Sequence, residues 1–112
     1  MKLVYIVSPY AGDIEENIRK ARAYCRYACE CGYIPIAVHL LFPTFLQEDV
    51  PEEREKGIQM GVKLIERCDA VWVFGNTISK GMRREIDAAE QIGVPITYID
   101  WEVEKCIFIQ TI

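Results

Sequence analysis

The sequence is short of the features that mark several classes of protein. It has one histidine and 13 Lys and Arg residues against 17 Asp and Glu residues, which gives a net charge of −4. Nucleic-acid binders normally show a basic patch or stripe, so we expect no nucleic-acid partner. The five cysteines contain no C-x-x-C pair and no second histidine stands at ligand spacing. We therefore expect buried or half-buried free thiols and no metal site.

Long apolar runs are also missing. The longest, such as residues 70–74, have the length of a strand and are too short to cross a bilayer. No charged-then-apolar leader precedes the first predicted strand. We expect a cytoplasmic protein with no membrane partner, and free thiols suit a reducing compartment.

Strand-like and helical patterns alternate along all 112 residues, which indicates a single domain over residues 1–112. Strands are predicted at residues 3–7, 33–38, 70–74, 95–99 and 106–112. Helices are predicted at residues 13–31, 49–68 and 79–92. This alternation implies right-handed crossovers and a parallel sheet covered on both faces. We predict an α/β three-layer sandwich with a flavodoxin-like or Rossmann-like sheet of about five strands, in the order 2-1-3-4-5.

Ligands of such sheets bind beyond the carboxyl ends of the strands. The loops predicted there are residues 8–13, 39–43 and 75–81. In the first loop, Tyr10 is either a stacking partner for a nucleobase or sugar, or an ordinary surface tyrosine. His39 ends the second strand, and a lone histidine is more often a hydrogen-bonded structural residue than a functional one.

Glu85 has the pattern that best suits chemistry. Helical spacing places it on one face with Ala89 and Ile92, so its carboxylate should point toward the sheet. The positive end of the helix would help to keep this carboxylate ionised. A partly desolvated carboxylate in a cleft can attack a carbon that develops positive charge. The alternative is a structural glutamate that pairs with an arginine or binds loop amides.

The loop from Gly75 to Gly81 is a candidate anion site. It offers free backbone amides at a helix start, with the Ser79 hydroxyl and Lys80 close by. Helix capping by Ser79 explains the same residues without a ligand. The loop has neither the P-loop nor the dinucleotide-binding glycine pattern, and we expect no cofactor.

Four segments resemble a group of short bacterial and phage proteins that are mostly uncharacterised. These segments are SPYAG at 8–12, HLLFP at 39–43, CDAVWVFG at 68–75 and SKGMRREI at 79–86. The group resembles an outlying branch of the nucleoside 2-deoxyribosyltransferase superfamily, which includes the deoxynucleoside 5′-monophosphate N-glycosidases.

The resemblance implies roles for particular residues. Tyr5 matches a tyrosine of the family's first strand, and Ser79, Gly81 and Glu85 match its Ser-x-Gly-x-x-x-Glu segment. In the family this serine helps to hold a 5′-phosphate and this glutamate is the nucleophile. The implied reaction is N-glycosidase or deoxyribosyltransferase chemistry on a 2-deoxynucleoside or its 5′-monophosphate, with Glu85 attacking C1′. The candidate substrate-binding residues are Tyr5, Ser8, Tyr10, Gly12, His39, Ser79 and Gly81.

One departure from the family concerns a carboxylate. The family places an Asp roughly two turns before the third strand, and here that position falls near Met60 and Gly61. In the family this aspartate helps to protonate the departing base. Asp13 and His39 are the candidate residues for that role in this sequence.

The resemblance also implies a homo-oligomer, a dimer or tetramer, for which the apolar segment 39–46 is a candidate contact surface. Two other functions stay open: a nucleotide-binding module that has lost turnover, and an interaction protein that uses the sheet as a scaffold.

Overall fold

A computed structural model describes residues 1–105, in which four strands alternate with α-helices. The elements are β1 Lys2–Val7, α1 Ile14–Glu30, β2 Tyr33–Ile36, α2 Pro51–Arg67, β3 Ala70–Phe74, α3 Lys80–Ile92 and β4 Ile96–Ile99. Two 3-10 turns, Val38–Leu40 and Phe42–Thr44, connect β2 to α2. Residues 101–105 are helical as well.

The four strands form one parallel sheet in the order β2-β1-β3-β4. This confirms the predicted α/β class and the predicted order of the first four strands. The fifth predicted strand, at 106–112, lies outside the described residues. The two central strands are the most deeply buried, and Tyr5 of β1 lies opposite Val71 of β3.

Helices cover both faces of the sheet, which gives three layers. One face packs against α2 and α3, and its buried core includes Tyr5, Val73, Ile65 and Ile86. The other face packs against α1, and its core includes Val4, Ile6, Tyr24 and Phe74. Alternate residues of β1 therefore belong to different core layers, as expected for a strand that is buried on both sides.

The second strand is shorter than predicted, because its pairing with β1 ends where Ile36 lies opposite Tyr5. Beyond that point the backbone bonds locally, and the Leu40 amide donates to the Ala37 carbonyl at 3.0 Å. Val38 belongs to a 3-10 turn rather than to a strand.

The apolar segment 39–46, a candidate contact surface, is only partly exposed. Phe42 is buried in the core, while Leu41 and Phe45 are 57% and 58% exposed. An oligomer contact on this segment, which stays a prediction, is therefore reduced to Leu41 and Phe45.

The cysteines are less buried than predicted. Cys68 is buried and Cys25 is half-buried, but Cys29 and Cys31 are exposed because they lie at the carboxyl end of α1. All four are free thiols, and Cys106 lies outside the described residues.

Across residues 1–105, no helix combines the length and the apolarity that a bilayer crossing requires.

Candidate active site

A cavity of about 270 Å³ opens at the carboxyl edge of the sheet, beside the starts of α2 and α3. Seven of the eight candidate residues from the sequence line it: Tyr5, Ser8, Tyr10, His39, Ser79, Gly81 and Glu85. The three predicted loops thus meet at one site, although the binding role of each residue stays a prediction.

Gly12 is the candidate that the structure places outside the cavity wall. It is exposed, and its φ of +94° is a conformation that side chains rarely adopt. The glycine serves the turn into α1. Asp13 follows it as the cap of that helix, accepting from the Glu16 amide at 3.2 Å, and it too is absent from the cavity wall.

Glu85 and Tyr5 form the floor of the cavity. The Tyr5 hydroxyl donates a hydrogen bond to Glu85 Oε2. Tyr5 is fully buried in the middle of β1, and Glu85 is half-buried in the second turn of α3. The buried face of α3, formed by Met82, Ile86 and Ala89, turns Glu85 toward the sheet. The inward orientation predicted from the helical spacing agrees with this geometry.

Burial controls the protonation of this pair. Desolvation raises the pKa of the Glu85 carboxyl from an ordinary value of 4.5 to about 7, and the hydrogen bond from Tyr5 opposes the rise. Burial, followed by the neighbouring Glu85 charge, raises the pKa of Tyr5 well above its usual value. At neutral pH, Tyr5 therefore remains a donor, while Glu85 populates both its ionised and its protonated form.

Gly61 packs directly against this pair. A Cβ at position 61 would lie 2.9 Å from the Tyr5 hydroxyl oxygen, which is closer than real Cβ atoms come to another heavy atom. Tyr5 is rigid and enclosed by the core, so it cannot move aside cheaply. The hydroxyl thus occupies the space beside the position where the resemblance implies an aspartate.

Tyr10 and His39 form an aromatic wall of the cavity. Their rings are stacked, with centroids 5.0 Å apart and planes at 24°. The Asn17 side-chain amide donates to the Tyr10 carbonyl at 3.0 Å, which fixes the loop that carries Tyr10. Burial lowers the pKa of His39, so its imidazole is neutral at pH 7. The wall can stack against a planar ring and can offer a neutral N–H donor to it.

The start of α3 supplies a polar part of the cavity wall. The Ser79 side chain accepts a hydrogen bond from the Met82 amide at 3.2 Å. Ser79 therefore caps the helix, as the alternative without a ligand predicts. Ser79, Lys80 and Gly81 nevertheless all line the cavity. The capping function and a place at the site therefore coexist.

Sequence reasoning missed three charged residues of the cavity wall: Glu48, Arg54 and Arg84. The exposed side chain of Arg84 contacts Glu55 of α2, with N–O distances of 3.5 Å. Arg54 shares one face of α2 with Ile58 and Gly61, which also line the cavity. That helical spacing was the available signal, but it became informative only with the packing of α2 against α3.

Within residues 1–105, no group of three His, Cys, Asp or Glu side chains is placed to hold a metal ion.

Solved structures with the same architecture define the fold class as that of the 2-deoxyribosyltransferases. The 2-deoxyribosyltransferase from Bacillus psychrosaccharolyticus superimposes with a TM-score of 0.69 at 15% identity, covering 85% of this chain and 69% of that one. The 2-deoxyribosyltransferase from Leishmania mexicana gives 0.61 at 16% identity, covering 88% of this chain and 64% of that one. At these identities the likeness shows the fold alone.

The sequence itself matches a family model over residues 2–99, and the chain belongs to that family, the domain of unknown function DUF7768. No curated protein matches the sequence.

Proposed function

We propose that this protein is an N-glycosidase or deoxyribosyltransferase that acts on a 2-deoxynucleoside or its 5′-monophosphate, with Glu85 as nucleophile. One observation carries the proposal: the Glu85 carboxylate lies in a cavity and is held by the buried hydroxyl of Tyr5. The supporting context is a fold shared with 2-deoxyribosyltransferases.

The proposed reaction has two displacements at C1′ of the sugar. Tyr5 bonds to Glu85 Oε2, which leaves the other carboxylate oxygen to attack C1′. The C1′–N bond breaks, its electron pair goes to the base, and the base takes up a proton. Water, or a second base, then attacks C1′ of the resulting ester, the bond between C1′ and the Glu85 oxygen breaks to release the carboxylate, and the attacking group loses a proton to solvent.

The proton for the departing base needs a source other than position 61. Of the two candidate substitutes, only His39 lines the cavity. Because its pKa is lowered, His39 acts as a neutral hydrogen-bond donor to a base nitrogen, and solvent supplies the proton itself. Tyr10, stacked on His39, extends the surface against which the base packs.

A nucleotide-binding module without turnover is the second candidate. The absence of a side chain at Gly61 favours it, since a poor supply of protons slows departure of the base. Glu85 would then bind a sugar hydroxyl instead of attacking C1′.

The experiment is chromatographic detection of free base, released from a panel of deoxynucleosides and their 5′-monophosphates, with and without an added acceptor base. We expect release by the native chain and its loss in Glu85→Ala. Glu90→Ala is the matched control, because Glu90 is an exposed glutamate on the same helix and is outside the cavity wall. Release that persists in a folded Glu85→Ala chain excludes Glu85 as nucleophile. No release from any substrate, together with measurable nucleotide binding, supports the binding module.

A further inference from the structure

We propose that the nucleoside bound in this cavity carries a positively charged heteroaromatic base, such as an N-alkylated purine or a pyridinium. This inference rests on the proposed function, keeps Glu85 as the nucleophile and names the class of leaving group. Two features of the cavity carry it: the scarcity of proton donors around Glu85, and the aromatic wall formed by Tyr10 and His39.

The first feature is the set of acidic groups in the cavity wall. Within residues 1–105, its carboxyl groups are those of Glu85 and Glu48. Glu85 cannot be nucleophile and acid in one step, because attack requires the ionised carboxylate and protonation of the base requires the acid form. Glu48 is exposed, so water competes for any hydrogen bond that it makes. Gly61, beside the Tyr5 hydroxyl, adds no side chain.

The imidazole of His39 does not replace the missing acid. His39 lines the cavity, and burial lowers its pKa, so the ring is neutral at pH 7. A neutral imidazole can donate a hydrogen bond to a base, but it is too weak an acid to protonate that base as the glycosidic bond breaks. A base that already carries a positive charge needs no such proton.

The bond changes are complete without a proton donor when the base is charged. The Glu85 oxygen that Tyr5 leaves free forms a bond to C1′, and the C1′–N bond breaks. Its electron pair goes to the ring nitrogen, cancels the positive charge, and the base leaves as a neutral molecule. Water then attacks C1′ of the ester, the bond between C1′ and the Glu85 oxygen breaks, and the attacking water loses a proton to solvent.

The second feature, the aromatic wall, suits a cationic ring. Tyr10 and His39 are stacked with centroids 5.0 Å apart, and both are half-buried residues that line the cavity. The face of a tyrosine ring attracts a cation, and the attraction is stronger where water is partly excluded. The neutral state of His39 is part of this arrangement, because a protonated imidazole would repel the same ligand.

The charged groups of the cavity differ in their exposure to solvent. Glu85, held by the Tyr5 hydroxyl, is half-buried at the floor. The cations that line the cavity are all exposed: Arg54, Lys80 and Arg84. Exposed charges are screened by water and salt, whereas a partly desolvated carboxylate acts at short range in a lower dielectric. A cationic base beside Glu85 therefore gains more from the carboxylate than it loses to the cations.

The kinetic test compares two cationic substrates, nicotinamide 2′-deoxyriboside and 7-methyl-2′-deoxyguanosine, with neutral 2′-deoxyguanosine and 2′-deoxycytidine. For each, kcat/KM is divided by the rate constant without protein, since charged bases also leave faster in water. We expect this enhancement to be about 100-fold to 10,000-fold larger for the cations, because that is the contribution a general acid would make for a neutral base. His39→Phe keeps an aromatic face without the N–H, so it should leave turnover of the cations unchanged and slow any neutral substrate that the native chain cleaves.

The binding test uses the Glu85→Gln chain, in which turnover is blocked and the aromatic wall is intact. Calorimetry should show nicotinamide 2′-deoxyriboside binding about threefold to thirtyfold more tightly than its neutral 1,4-dihydro form, which has the same heavy atoms. In that background Tyr10→Ala should remove the difference, and Tyr10→Phe, which keeps the ring, should retain it. Tyr98→Ala is the matched control, because Tyr98 is an exposed tyrosine outside the cavity wall. Its two affinities should equal those of the Glu85→Gln chain.

The outcomes separate this inference from the proposed function. If no base is released from any substrate but the preference for the cation in binding is present, the glycosidase proposal fails and the site for a cationic base stands. If neutral nucleosides are cleaved with the same enhancement as the cations, and the charged and dihydro forms bind equally, this inference is refuted and the glycosidase proposal stands. Absence of binding by every nucleoside tested refutes both.

Discussion

Replacing Glu85 by glutamine should stabilise the protein, and the gain should grow with pH. The folded-state pKa of Glu85 is about 7 against an ordinary value of 4.5, because burial disfavours the charged carboxylate. Between these two values the folded chain keeps a proton that the unfolded chain has lost, so stability falls as pH rises through this window. The contribution of the protonated form is complete below about pH 4.5 and is lost above about pH 7. At 1.36 kcal/mol per pKa unit, the whole loss is about 3 kcal/mol.

The assay is urea denaturation of the native and Glu85→Gln chains at several pH values between 4 and about 8, since midpoints and slopes give the free energy of unfolding. Glutamine keeps the shape and stays neutral, so the difference between the two chains isolates the titration of Glu85 from that of all other carboxylates. Glu90→Gln, on the exposed face of the same helix, should show an offset that does not change by more than about 0.5 kcal/mol over this range. If the difference between native and Glu85→Gln is flat across the window, Glu85 is not a desolvated carboxyl. The case for it as a nucleophile would then lose its electrostatic support.

Four further substitutions test the packing and polarity of the site and of the segment beside it. Tyr5→Phe removes the donor to Glu85 and lets its pKa rise further, so the acid limb of kcat/KM should move above pH 7 and the rate should fall about tenfold to a hundredfold; an unchanged pH profile would contradict this. Gly61→Ala places a methyl group 2.9 Å from the Tyr5 hydroxyl and should cost about 1–3 kcal/mol in urea denaturation, whereas a neutral effect would show that Tyr5 can move. Phe42→Ala should lower the free energy of unfolding by about 3 kcal/mol because Phe42 is buried. Phe45→Ala should lower it by less than about 1 kcal/mol because Phe45 is 58% exposed. Equal losses would contradict this difference in burial.

Local signals in the sequence predicted the elements whose ends depend on short-range interactions. The third helix begins at the Ser79 cap and ends at Gly93, whose φ of +91° suits glycine, and both were readable from residue type. The third strand agrees with its prediction residue for residue. The second strand was predicted too long because its end depends on β1, which pairs with it only as far as Ile36. No property of residues 37 and 38 themselves marks that limit.

Some features of the candidate site also follow from local sequence signals, whereas others depend on how distant elements pack together. The inward orientation of Glu85 follows from helical spacing, because the apolar face of α3 must meet the sheet. Its contact with Tyr5 joins residues 80 positions apart and depends on how α3 lies across β1. Arg54 was missed because a charged residue near a helix start ordinarily belongs to the solvated surface. Only the packing of α2 beside α3 turns its face toward the cavity.

The residue at position 61 and the position of the Tyr5 hydroxyl depend on each other, because they occupy adjoining space. With glycine at 61, the Tyr5 hydroxyl fits against α2 and bonds to Glu85; with any side chain there, the same hydroxyl would have to move. The absence of a side chain at position 61 and the Tyr5–Glu85 hydrogen bond are therefore linked, because a carboxylate placed at 61 would displace the hydroxyl that bonds to Glu85. Under the proposed function, departure of the base would then depend on solvent, or on the neutral His39, for a proton. A single substitution Gly61→Asp therefore would not simply add an acid to the cavity, because it would also displace Tyr5 and change the position of the Glu85 carboxylate.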